Sequence, residues 1–103
     1  MRARIKIDRD KVAEFCRSNR IRKLSLFGSV LRSDFSPKSD VDVLVEFEPD
    51  ARVGLIKFAG IEIELSRLLG RKVDLSTPNS LSKYFRDQVI NEAQTEYRSR
   101  ISR

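Results

Sequence analysis

Apolar positions recur along the chain in three- to four-residue steps or in short, nearly unbroken runs, and together they predict the order α-β-(loop)-β-α-β-α. Asp8 or Asp10 can cap a helix that runs to about Asn19 and turns Val12, Phe15 and Cys16 inward. Residues 24–27 make a short apolar strand that stops at Gly28. Residues 33–39, with Pro37 among them, read as a loop. Residues 41–47 are rich in β-branched side chains and read as a second strand. A turn over 49–54 leads to a helix over 55–69, with Phe58, Ile61, Leu65, Leu68 and Leu69 on one stripe. Residues 61–65 also alternate as a strand would, but the total length favours a helix, and Gly70 is placed to end it. Residues 72–75 form a short third strand. Ser80 can cap a last helix that keeps Leu81, Phe85, Val89, Ala93 and Tyr97 inside, and 98–103 read as a frayed tail. The expected fold class is α/β (α+β): a small mixed β-sheet covered by helices, in one domain spanning 1–103.

Composition narrows the chemistry. The chain holds one cysteine, Cys16, and no histidine. That excludes an internal disulfide, a multi-cysteine metal site and a histidine-based triad. No apolar run approaches the ~20 residues of a membrane span, and the N-terminus has no apolar signal region. The expectation is a cytoplasmic protein, without membrane contact, that works through carboxylates, hydroxyls and cations.

Charge is unevenly spread. The net charge is +6, yet residues 1–23 hold nine basic residues against three acidic ones, while 34–50 hold six acidic residues against Lys38. A basic chain suits an anionic partner: a nucleotide, RNA or an acidic protein face. Arg17, Arg20, Arg22 and Lys23 are a candidate landing surface, or simply a solvated one. The acids of 34–50 crowd together and repel one another unless a cation lies among them.

Three features carry candidate chemistry. Gly28-Ser29 ends a strand, where glycine lets the backbone approach a phosphate and the following N–H groups and hydroxyl can donate to it. A short helix starting at Ser29 would add its positive end. Asp40 and Asp42 stand two apart, so in a strand both carboxylates project from one face, ~7 Å apart along the chain. Such a pair can clamp two magnesium ions, whose ligands are oxygens. Asp74 is an acid inside a short apolar strand; lying beside the second strand, it would complete the site or act as general base. It could equally cap the turn at 76–78. Arg32 is a weaker candidate for a phosphate contact, an ion pair with Asp34 being its alternative, and Ser39 is a further candidate nucleotide contact.

The run from Phe27-Gly28-Ser29 through Asp40-Val41-Asp42 resembles the signature of the polymerase-beta-like nucleotidyltransferase superfamily, and specifically its minimal nucleotidyltransferase branch. The stretch around Gly70-Arg71-Lys72-Val73-Asp74-Leu75 does too. The resemblance implies a nucleotidyltransferase fold, Mg²⁺ at Asp40, Asp42 and Asp74, and triphosphate binding at Gly28 and Ser29. It further implies an antitoxin paired with a HEPN-domain RNase toxin and silencing it by moving AMP from ATP to a toxin tyrosine. The expected reaction is attack of an acceptor hydroxyl on the α-phosphorus, with pyrophosphate leaving and two Mg²⁺ ions offsetting charge. The alternatives are an antitoxin that inhibits by binding alone, and a transferase acting on RNA or a small molecule. Direct nucleic-acid binding is the less favoured of these.

Overall fold

Local signals in the chain set most of the elements. In the computed structural model, which describes residues 5–32, 35–36 and 38–99, Asp8 caps the first helix, α1 (Arg9–Ser18), its carboxylate accepting from the Lys11 backbone N–H at 3.2 Å. Arg20 takes the left-handed backbone (φ 58°) to turn the chain into β1 (Ile21–Phe27). A short 3-10 helix, Gly28–Leu31, follows directly. Next come β2 (Val41–Phe47), α2 (Leu55–Leu69), β3 (Val73–Ser76), a 3-10 turn at Pro78–Ser80, α3 (Arg86–Glu92) and β4 (Gln94–Arg98).

The sheet is mixed, in the order β3-β2-β1-β4. β1 runs antiparallel to β2 and β4, while β2 and β3 are parallel, as a helical crossover through α2 requires. Strand alternation divides the side chains. Leu24, Leu26, Val41, Val43, Val45, Val73 and Leu75 join Val12, Phe15 and Cys16 of α1 and Ile61 and Leu65 of α2 in one buried cluster. Leu44 is buried but lies outside that cluster, on the opposite face with Asp42. Both long helices thus back one face of the sheet, and the acids project from the other. Among the described residues no helix is long and apolar enough to cross a membrane.

Three expectations are corrected. Residues 81–97 do not form a single helix from a Ser80 cap: Ser80 ends a 3-10 turn, α3 is seven residues, and Ala93 is its C-cap. The chain then becomes β4, which fills the free edge of β1. An edge left open there would leave a row of backbone donors and acceptors unpaired. Arg98, expected in a frayed tail, therefore closes a strand, and residues 100–103 lie outside the described ones. β1 also starts three residues earlier than expected, at Ile21, where Arg22 on the strand pairs with Glu46 of β2 at 3.2 Å.

Candidate active site

Parallel pairing of β2 and β3 sets Asp42 directly beside Asp74. Antiparallel pairing on the other side sets Asp42 opposite Phe27, the last residue of β1. The turn at Gly28 therefore lands on Asp42. Gly28 has φ +75°, and a Cβ built there would lie 2.2 Å from Oδ2 of Asp42. The Ser29 backbone N–H, next along the 3-10 helix, lies near enough to the Asp42 carboxylate to favour its charged form. Asp40 precedes β2 by one residue and is exposed, as is Asp74.

Asp42 is half-buried and its carboxyl is held above its ordinary value. Burial is the largest cause, followed by the charges of Asp74 and Asp40; Arg32 and the Ser29 N–H pull the other way. Asp42 therefore feels both other acids named from the sequence, with Arg32 the cation that partly offsets them at that position. Among the described residues, no three acidic or thiol side chains are gathered as a preformed metal cage. The donors on offer are carboxylate oxygens alone, and burial, followed by repulsion from Asp74 and Asp40, raises Asp42. That combination suits a hard divalent cation of the magnesium kind.

The other expected residues are placed as follows. Arg32 is exposed and caps the 3-10 helix, its N–H donating to the Ser29 carbonyl at 2.9 Å. Its alternative partner, Asp34, lies outside the described residues. Ser39 is engaged within its own loop: its Oγ accepts from the Ser36 N–H at 3.2 Å and stands 3.2 Å from the Ser36 hydroxyl. Of the expected landing cations, Arg20 pairs with Asp50 and Arg22 with Glu46, so both charges are answered within the chain.

Sequence reasoning missed three positioning side chains. Arg71 donates through Nη2 to the carbonyls of Ser36 (2.7 Å) and Ser39 (3.2 Å), and its guanidinium lies 4.5 Å from the centre of the Phe35 ring. It pins the loop that delivers Asp40. On α2, Glu62 accepts from the Leu75 N–H at 2.8 Å and Ser66 Oγ from the Val73 N–H at 3.0 Å. Two donors on the outer edge of β3 are thereby satisfied on either side of Asp74, which fixes that strand against β2. Nothing in the spacing of residues 61–72 signals these roles beyond polar residues on an otherwise apolar helix.

Replacing Arg71 by Gln is expected to slow nucleotidyl transfer on the order of tenfold to a hundredfold, since a slack loop misplaces Asp40. The melting temperature should drop only modestly, by about 1–2 kcal/mol of stability. Lysine should restore little, because it has neither the fork nor the stacking plane of arginine. Wild-type turnover in Arg71→Gln would refute the positioning role.

The nucleotidyltransferase domain family matches residues 9–95, a span that includes every candidate residue above. Protein adenylyltransferase MntA of Thermococcus cleftensis is 39% identical over 72 residues, which is 70% of this chain and 71% of that protein. Among solved structures, a toxin-antitoxin with AMP-PNP superposes with a TM-score of 0.72 at 22% identity, over 91% of this chain and 76% of that one. The complex of a tri-AMPylated Shewanella oneidensis HEPN toxin with its MNT antitoxin gives 0.63 at 22% identity, over 88% and 70%. At that identity the two structures speak for the fold.

Proposed function

We propose, from the premise that the chain belongs to the nucleotidyltransferase domain family and is itself a nucleotidyltransferase, that it moves AMP from ATP to a tyrosine of a HEPN RNase toxin and so acts as an antitoxin. The observation that carries this reading is the placement of Asp42 beside Asp74 at the foot of the Gly28-Ser29 turn. The protein adenylyltransferase relative supports AMP as the group moved. The AMP-PNP complex supports an adenine nucleotide, and the AMPylated HEPN toxin supports the acceptor.

The roles follow from position. Asp40, Asp42 and Asp74 would hold Mg²⁺, which when bound would neutralise charge on the reacting phosphate and on pyrophosphate. Gly28 would let the backbone come close, and Ser29 and the N–H groups of the 3-10 helix would grip the β- and γ-phosphates. Asp74, exposed at the edge strand, would take the proton of the acceptor hydroxyl. The chain, read as one domain over 1–103, spends its elements on the sheet and the helices behind it. A partner protein docked on the open face would carry the hydroxyl to the acids.

Two measurements test the reading. Mass spectrometry of a HEPN toxin after incubation with this protein, ATP and Mg²⁺ should find one or more AMP units on a tyrosine. A toxin left unmodified while RNA or a small molecule gains the nucleotide would overturn the acceptor. ATP with Mg²⁺ should also raise the melting temperature, by about 2.7 kcal/mol of stability at a hundred times Kd, and Asp74→Ala should diminish that rise. An unchanged curve at millimolar ligand would count against a nucleotide site.

A further inference from the structure

A cleft of about 610 Å³ opens beside the Gly28 turn. One wall is Phe27, Gly28 and Leu31; the other is Phe85 at the cap of α3, with Gln88 and Glu92 on the helix itself. Its volume suits a small ligand or part of one. Three features tie it to the nucleotide. Gly28, which presses on Asp42, is part of its wall, so the cleft adjoins the turn proposed for the triphosphate. Phe85 is 47% exposed at the rim, an aromatic face left without a full cover. Gln88 and Glu92, one helical turn apart and both exposed, are joined by a hydrogen bond in which Gln88 Nε2 donates to Glu92 Oε2 at 3.4 Å, which leaves the second amide N–H and the other carboxylate oxygen side by side for a ligand. The turn that carries Phe85 is tied down, since Arg86 Nη2 donates to the Leu81 carbonyl at 3.0 Å.

We propose that this cleft holds the base of the donor nucleotide and selects adenine: Phe85 stacks on the ring, Glu92 accepts from the 6-amino group, and Gln88 donates to N1. The assignment rests on the nucleotidyl-transfer reading and names how that site chooses its substrate. An aromatic face binds any base, so Phe85 supplies affinity without choice. Choice comes from the polar pair. Adenine offers a donor beside an acceptor, which a carboxylate beside an amide N–H complements. Guanine in the same pose would set O6 against the Glu92 carboxylate and N1–H against the amide donor. Gln88 and Glu92 are exposed, so the mismatched edge forgoes two hydrogen bonds and meets like poles, which supports a preference of about tenfold rather than exclusion.

Binding of ATP and of GTP, each with Mg²⁺, is measured by calorimetry on the full chain and on Glu92→Ala, Gln88→Ala and Phe85→Ala. The wild type should prefer ATP by on the order of tenfold. Glu92→Ala and Gln88→Ala should each weaken ATP by roughly tenfold and narrow the gap to GTP. Phe85→Ala should weaken both nucleotides alike, by roughly tenfold. Circular dichroism establishes that each variant is folded, and Gln88→Glu, which keeps the shape of the side chain but removes the amide donor, serves as a second probe should Gln88→Ala fail to fold. Equal affinity for the two nucleotides in the wild type, a preference for GTP, or a preference that survives both polar substitutions would overturn the assignment while leaving nucleotidyl transfer standing. Variants that bind ATP normally but lose capture of a HEPN toxin would give the cleft to the protein partner instead. A wild-type chain that binds neither nucleotide would sink the parent reading together with this one.

Discussion

Replacing Asp40 and Asp42 together by asparagine is expected to cut AMP transfer by about a thousandfold or more while leaving the metal-free protein as stable as the wild type, or more so. Both halves follow from the same geometry. Asp42 lies beside Asp74, feels Asp40, and is half-buried. Its carboxyl is raised above the ordinary value, with burial as the first cause and the two neighbouring acids next. A group whose folded pKa is raised contributes stability that is present at low pH and lost as pH rises through the folded value. At neutral pH the ionised Asp42 is thus a net cost to the metal-free fold, and asparagine removes it. Asparagine matches aspartate in shape, so the Gly28 turn keeps the side chain it packs against. The melting temperature of the wild type, measured without metal, should therefore fall relative to the double variant as pH climbs from about 4 to 7. The order should reverse when Mg²⁺ and ATP are added, because only the wild type would bind them through its acids. Near-wild-type transfer in the double variant would remove Asp40 and Asp42 from the chemistry. A large drop in its metal-free melting temperature would make the acids structural.

Elements whose boundaries are written locally were legible before the structure. The β-branched run 41–47 is β2 and the stripe over 55–69 is α2, ended by Gly70 as expected. Asp8 caps α1. What the chain does not write locally is pairing. Phe85, Val89, Ala93 and Tyr97 recur every four residues, which suits a helix, yet Tyr97 lies in β4 opposite Leu24. The pull toward a strand comes from the vacant edge of β1, some seventy residues upstream, and a register shift at Leu24/Ser25 blurs the alternation further. The candidate site divides the same way. Gly28, Asp40 and Asp42 stand out from spacing and residue type alone. That Asp74 is the in-register neighbour of Asp42 depends on a parallel pairing through α2, and spacing alone left that conditional. Arg71, Glu62 and Ser66 were invisible as positioning residues because their partners are backbone atoms of another element. Ser39 shows the converse: it sits next to Asp40 in sequence, but its hydroxyl is bonded within its own loop.

Gly28→Ala is expected to reduce transfer on the order of a hundredfold or more, and the reason can be isolated by comparison with Gly70→Ala. Both glycines have left-handed backbone, φ +75° at Gly28 and φ +69° at Gly70. Placing a side chain on such a backbone costs about 1–2 kcal/mol in either position. The surroundings differ. Around Gly70 nothing lies within 4 Å of the added Cβ, whereas at Gly28 that atom would meet Asp42 Oδ2 at 2.2 Å and its Cγ at 3.1 Å. The clash can be relieved by rotating the Asp42 carboxylate away or by lifting the Gly28 turn off β2. Either movement separates the Gly28-Ser29 turn, proposed to bind phosphate, from the acids, and a displacement near 1 Å in such a site is enough for about a hundredfold in rate. Stability should respond less selectively: both variants should lose about 1–2 kcal/mol from backbone strain, with a further increment at Gly28 set by how easily the Asp42 side chain moves. Transfer assays and thermal melts on the two variants separate these effects. If Gly70→Ala is slightly less stable but active while Gly28→Ala is inactive at a temperature where it remains folded, the close approach of Gly28 to Asp42 is what transfer requires. If the two variants retain equal activity, that contact has no part in the reaction and the phosphate-binding role of the turn falls with it.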